Sequence, residues 1–111
     1  MIAAASLPER IRAGASFHGV AVATDNLDSP HLLAPLMKAE FLFAIAENDD
    51  ERNPREKEKL RTAFSASRLS AEIEVYDGAM HGWCPVDSRV YHQAQAERAW
   101  TRQLALFERA L

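Results

Sequence analysis

The apolar residues of this chain are concentrated in short runs, each followed by polar or turn-forming residues. Residues 41–46 are apolar at every position, which is typical of a parallel strand covered on both faces. Residues 72–76 alternate between polar and apolar, as expected of a sheet edge or a half-covered strand. Residues 13–17 form a shorter candidate strand, which residues 20–22 are expected to extend. The pattern therefore predicts a sheet of about three strands.

Helical signals follow the central run. Asn53 is a candidate N-cap, Pro54 suits the first helical position because its missing N–H costs nothing there, and Glu56 stands where a capping box requires it. Leu60 and Phe64 then recur at helical spacing among charged residues. A strand, a helix and a strand in this order predict a right-handed βαβ unit.

A longer helix is predicted at the end of the chain. Asp87 or Ser88 can cap it, and it is expected to run to about Leu111. Four large apolar residues at spacings of four, three and four predict the face that packs against the sheet, and Ala96 and Ala99 widen this face; the four are Trp100, Leu104, Phe107 and Leu111. Earlier in the chain, residues 3–11 suggest the end of a helix, residues 24–30 a surface loop and residues 31–37 a turn or single helical turn.

These elements predict an α/β fold with about three parallel strands, flanking helices and a long C-terminal helix. No internal repeat, low-complexity tract or Gly/Ser-rich linker interrupts the sequence, so residues 1–111 are expected to form one domain.

Composition narrows the function classes. Thirteen Lys and Arg against sixteen Asp and Glu give a formal charge of −3, which argues against a nucleic-acid partner. No apolar run approaches the length of about 18 residues that a membrane span needs, and the first residues do not resemble a signal peptide. We therefore expect a cytoplasmic protein without membrane contact. Cys84 is the only cysteine, so no internal disulfide can form.

The candidate chemistry follows two neighbouring strands. Asp49 and Asp50 come after the strand at residues 41–46, and His81 follows the strand at residues 72–76. Reacting groups of open α/β sheets gather at the carboxyl ends of the strands, and an acid before a histidine is the chain order of an α/β-hydrolase triad. Spacing alone leaves the pair open, since acids after strands often cap helices and a lone histidine is commonly structural or exposed.

Other readings of the same residues are weaker. Cys84 lies three residues from His81, but it follows Trp83 and precedes Pro85, whereas a nucleophile elbow is a strand-turn-helix feature flanked by glycines. A buried, inert cysteine is the commoner state. His81, Cys84 and His92 lack the paired short spacing of a zinc site.

Two further alternatives concern the other polar residues. Asp49 and Asp50 would suit a divalent cation in a flavodoxin-like regulatory domain, but the earlier strand carries Ser16 and His18 where further acids are needed. His18 and His31 show no partner pattern, so both are predicted to be loop or packing histidines near the carboxyl edge.

Several stretches resemble the C-terminal half of the dienelactone hydrolase family, from about Leu7 to the end of the chain. The most specific is Tyr-Asp-Gly-Ala-Met-His-Gly-Trp-Cys at residues 76–84; the others are Ser-Phe-His-Gly at 16–19, Asp-Asn-Leu-Asp-Ser-Pro at 25–30 and Ala-Glu-Asn-Asp-Asp at 46–50. The resemblance implies a partial α/β-hydrolase fold, a Cys/Ser-His-Asp triad, hydrolysis of lactones or other carboxylic esters, and no metal or organic cofactor. It makes His81 the triad base and Asp49 the triad acid, with Asp50 as the alternative.

The sequence departs from the family in one respect. No Gly-x-Cys-x-Gly or Gly-x-Ser-x-Gly elbow occurs, so the nucleophile and the oxyanion-hole donors that accompany it are missing. We therefore expect the second half of a hydrolase, with little or no esterase activity alone, and whether the chain is itself an enzyme stays open. An unpaired strand edge predicts a homo-oligomer or a complementing N-terminal half. The alternative is a non-catalytic oligomeric or interaction module on a remnant fold.

Overall fold

A computed structural model describes residues 1–111 of the chain. Along the sequence the elements are α1 (Ile2–Ser6), β1 (Ala13–Ser16), a 3₁₀ helix (Pro30–Leu36), β2 (Glu40–Ala46), α2 (Glu47–Arg52), α3 (Glu56–Ala66), β3 (Ala71–Tyr76) and α4 (Gln93–Ala110). The predicted α/β fold, with three parallel strands, flanking helices and a long C-terminal helix, is confirmed.

The three strands form one parallel sheet in the order β1-β2-β3. Gly14 of β1 pairs with Phe41 of β2, and Ala46 at the end of β2 pairs with Tyr76 at the end of β3. The central strand is hydrogen-bonded on both sides and covered on both faces, which is why its apolar run is unbroken. β1 and β3 are the edges, so each leaves one row of backbone groups without a strand partner.

One face of the sheet packs against α3 and the 3₁₀ helix. The rings of Phe41 and Phe43 stack at 5.5 Å, and the ring of Phe64 from α3 meets both edge-on at 5.4 and 5.5 Å. Gly14 is needed beside this cluster, because a Cβ at that position would lie 2.5 Å from Cε1 of Phe41. This aromatic cluster fixes α3 on the sheet.

The other face packs against α4 through small side chains. Ala96 and Ala99 are fully buried against Ala44 and Ala46 of β2, with Trp83 beside them. The predicted apolar stripe is wrong in this respect: Trp100 is 42% exposed and Leu104 is 62% exposed. The small Ala96 and Ala99 lie on the side of α4 that faces the sheet, so Trp100 and Leu104 lie on a neighbouring, more exposed side of the helix.

Helix starts also differ from the sequence-based expectation. α4 begins after His92, whose Nδ1 accepts a hydrogen bond from the backbone N–H of Gln95 at 3.2 Å, and neither Asp87 nor Ser88 caps it. The Ser88 hydroxyl instead accepts from the backbone N–H of Val90, which holds a turn.

α3 begins at Glu56, two residues later than expected, and no side chain caps it. The Glu56 carboxylate accepts from the Asn53 amide and from the backbone N–H of Val22, so it is not available for a capping box. The bond from Val22 to Glu56 holds residues 20–22 in a loop. β1 ends at Ser16, so the expected extension of this strand through residues 20–22 is wrong.

The acidic stretch after β2 forms α2, which the sequence pattern did not predict. None of the helices has the length and apolar character that crossing a membrane requires.

Candidate active site

His81 and Asp49 meet at the carboxyl end of the sheet. Nδ1 of His81 lies 2.7 Å from Oδ2 of Asp49. The Asp49 side chain is 8% exposed, whereas that of His81 is 44% exposed. The acid is therefore buried and binds one ring nitrogen, while the ring itself reaches the surface and Nε2 has no protein partner. This is the arrangement that a general base needs.

Two local features place the histidine. β3 ends in a tight loop in which Gly78 and Gly82 have positive φ angles of 77° and 96°, a conformation that side chains with a Cβ rarely adopt. The backbone N–H of Glu47 donates to the carbonyl of Ala79 at 2.8 Å. The loop that carries His81 is therefore joined to the start of α2.

Asn48 makes a second connection to the same loop. Its Oδ1 accepts a hydrogen bond from the backbone N–H of His81 at 2.8 Å. Sequence reasoning did not single out Asn48, because an asparagine after a strand is an ordinary loop former. Asn48 lies in the stretch at residues 46–50 that carried part of the family resemblance, but the resemblance gave it no role of its own.

Asp50 points elsewhere. Its Oδ1 lies 2.6 Å from Nζ of Lys57, and both side chains are about four-fifths buried. Of the two adjacent acids that the sequence offered, Asp49 is the one against the His81 ring.

His18 lies beside the pair. Its ring centroid is 5.6 Å from that of His81 and 5.1 Å from that of Trp83, and its Nε2 is buried without a hydrogen-bond partner. Burial lowers the pKa of His18, His81 lowers it further, and the Asp49 carboxylate opposes part of this change. His18 therefore favours the neutral form. The prediction of a packing histidine missed its contact with His81, although the Ser-Phe-His-Gly stretch was part of the family resemblance.

Cys84 is not an activated thiol. Cys84 is only 5% exposed, and burial raises the pKa of its thiol from 9.0 to about 11. The thiolate is therefore scarce at neutral pH. His92 caps α4, and no group of three or more His, Cys, Asp or Glu side chains is placed to hold a metal ion. The structure therefore does not bring His81, Cys84 and His92 together as ligands.

A cavity of about 290 Å³ lies on the α3 face of the sheet, next to the acid. Its apolar wall includes Val22, Phe43 and Leu60, and Asp49 and Arg52 lie at its polar side. His81 does not line it, so the cavity and the exposed face of the imidazole are separate surfaces.

A family model and a solved structure of known proteins both resemble this chain. A sequence model described as the dienelactone hydrolase family matches residues 1–111. A crystal structure of a proposed dienelactone hydrolase from Klebsiella pneumoniae subsp. pneumoniae MGH 78578 superposes with a TM-score of 0.81 and 29% sequence identity over 96% of this chain. The chain spans 45% of the length of that protein. No curated protein matches the present chain.

Proposed function

The chain belongs to the dienelactone hydrolase family, and from that premise we propose that Asp49 and His81 are the acid and base of a hydrolase acting on small carboxylic esters or lactones. The observation that carries this proposal is the 2.7 Å contact between the buried Asp49 carboxylate and Nδ1 of the half-exposed His81 ring. Both residues stand at the carboxyl edge of a parallel sheet, where α/β enzymes place their reacting groups.

In this role Nε2 of His81 takes the proton of a hydroxyl or thiol nucleophile as that group attacks the ester carbonyl. The Asp49 carboxylate holds the proton on Nδ1, which leaves Nε2 free to act as a base, and it stabilises the imidazolium that forms. The histidine then returns the proton to the leaving alcohol, and a water molecule releases the acyl group by the same route.

In this proposal the nucleophile that attacks the ester comes from another polypeptide segment. Residues 1–111 contain no nucleophile elbow, and the only thiol, Cys84, is buried with a raised pKa. The oxyanion-hole donors, one of which follows the nucleophile, would arrive with the same segment. We therefore expect the isolated chain to hydrolyse esters weakly or not at all.

β1 is the edge at which that polypeptide would join. Its outer backbone groups have no strand partner, and Trp100 contacts Phe17, the residue after β1, with a ring separation of 5.2 Å. The partly exposed Trp100 therefore lies beside the open edge, and the exposed Leu104, one turn further along α4, adds to the apolar surface. A complementing N-terminal half with a strand beside β1 and a helix beside α4 suits this surface.

A second candidate function rests on the same apolar surface. A second copy of the chain could cover β1 and α4, giving a non-catalytic oligomeric module. In that case His81 would have no chemical role and its substitution would change nothing.

Complementation separates the two candidates. The chain is mixed or co-expressed with a segment corresponding to the uncovered part of the Klebsiella structure, and hydrolysis of 4-nitrophenyl acetate is followed beside the mass by light scattering. We expect hydrolysis from the mixture that falls at least about 1,000-fold in His81→Ala. Asp77→Asn, which changes an exposed carboxylate outside the pair, is the matched control and should keep the wild-type rate. A stable complex or homo-oligomer without hydrolysis would favour the module instead.

A further inference from the structure

The first turn of α2 touches His81 at two separate points. Asn48 Oδ1 accepts from the backbone N–H of His81 at 2.8 Å, and Asp49 Oδ2 lies 2.7 Å from the ring nitrogen Nδ1. Consecutive residues therefore hold the main chain and the ring of one histidine that is more than 30 positions away. A carboxylate alone fixes only the ring.

His81 needs the hydrogen bond from its backbone to Asn48 as well as the contact of its ring with Asp49. His81 is half-exposed and lies between Gly78 and Gly82, the two positive-φ glycines of its loop. Glycine leaves the backbone its widest conformational freedom, so the loop has possible hinges on both sides of the histidine. A shift of the His81 backbone would change the direction of its Cα–Cβ bond and carry Nε2 away from its working position.

We propose that Asn48 is a positioning residue for His81: its side chain fixes the loop backbone so that the ring held by Asp49 presents Nε2 in one place. This inference rests on the proposed hydrolase function. A displacement of about 1 Å at a reacting group can cost on the order of 100-fold in rate, so one hydrogen bond to the backbone matters to the chemistry.

Three variants of the whole chain test the proposal. Asn48→Ala removes the acceptor and suits a helix, Asn48→Asp keeps an oxygen in the same place, and Asn53→Ala is the control. Asn53 lies just after α2, and its side chain contacts Glu56 instead of the His81 loop. Far-UV circular dichroism first establishes that all three fold.

The first readout is nuclear magnetic resonance, which needs no catalysis. In Asn48→Ala we expect the His81 amide to exchange with solvent at least about 10-fold faster, since its hydrogen bond is lost. We also expect a smaller fraction of the Nδ1–H tautomer of its ring. Asn48→Asp should restore both, and Asn53→Ala should leave both at wild-type values. Wild-type exchange and tautomer in Asn48→Ala would overturn the proposal.

The second readout is kinetic and uses the complemented assembly. Asn48→Ala should lower kcat about 10- to 100-fold with little change in KM, because the lost hydrogen bond is made to the backbone of His81, the proposed base. Asn48→Asp should recover most of the loss. An unchanged kcat in Asn48→Ala would overturn the positioning role. Failure of the hydrolase function has a different signature: the wild-type assembly would show no hydrolysis while Asn48→Ala still loosened His81.

Discussion

The Asp49 carboxylate and the His81 imidazole are in direct contact, 2.7 Å apart, although 32 positions separate them in the sequence. The contact arises because β2 and β3 are parallel neighbours whose last residues, Ala46 and Tyr76, are paired. The segments that follow the two strands therefore start at the same edge of the sheet.

Replacing Asp49 by Asn should change which nitrogen of His81 carries the proton. The Asn amide can donate to Nδ1, which favours the Nε2–H tautomer and removes the basic lone pair from the exposed side of the ring. We expect the Nδ1–H tautomer to fall from the major to the minor form in ¹H–¹⁵N spectra, and hydrolysis by the complemented assembly to fall on the order of 10⁴-fold.

Asp50→Asn tests the neighbouring acid. Because Asp50 pairs with Lys57, its substitution should leave the His81 tautomer unchanged. A tautomer change in Asp50→Asn together with none in Asp49→Asn would show that the assignment is off by one residue.

The free energy of unfolding should decrease at high pH because the thiol of Cys84 is buried. Burial raises the pKa of its thiol from 9.0 to about 11, so between these values the unfolded chain releases a proton that the folded chain keeps. Fewer protons on the unfolded state mean that the free energy of unfolding decreases as pH rises, and below about pH 9 the effect is absent. We expect a loss of about 2 kcal/mol between pH 8 and pH 10.5.

Urea unfolding of the wild type and of Cys84→Ala at both pH values measures this loss. The variant lacks the thiol, so its stability should change with pH by about 2 kcal/mol less than that of the wild type. Equal pH dependence of the two proteins would contradict the prediction.

The exposed residues of α4 should control association. Replacing both Trp100 and Leu104 by Lys puts two charges on the apolar surface beside β1 and removes about 2 kcal/mol or more of burial energy. We expect binding to a complementing half, or to a second copy, to weaken at least roughly 30-fold by light scattering or sedimentation. Leu27→Lys, at an almost fully exposed loop residue, is the control. Unchanged association in the double variant would place the interface elsewhere.

The aromatic cluster on the α3 face should carry much of the stability. Phe64 is 1% exposed and contacts Phe41 and Phe43 edge-on, so Phe64→Ala removes a large buried ring and its contacts with both neighbours. We expect a loss of about 3–5 kcal/mol in the free energy of unfolding, measured with urea. Leu104→Ala, on an exposed helix face, should cost less than about 1 kcal/mol. Similar losses in the two variants would contradict the cluster's role.

Local pattern predicted the sheet well for a physical reason. A strand covered on both faces must be apolar throughout, and residues 41–46 satisfy that condition whatever the rest of the fold does. The order of acid and histidine after consecutive strands was equally visible. The contact between Asp49 and His81 follows from the order once the strands are parallel neighbours.

Local pattern failed where interactions between distant segments decide the outcome. α2 is a short helix of charged residues with no apolar periodicity, and three of its residues bond to the loop around His81. Its intrinsic signal is weak because a helix of this length is not stable by itself. Asn48 was not predicted as a site residue because its contact is with His81, which is distant in the sequence.

The sequence by itself determined the strands, the long last helix and the chain order of the candidate acid and base, because periodicity and turn-forming residues act locally. Tertiary structure alone decided which part of the broad apolar face of α4 is buried: Ala96 and Ala99 lie against the sheet, whereas Trp100 is partly at the surface. It also brought His18 next to His81. Neither is encoded in spacing, since both depend on how tightly separate elements pack.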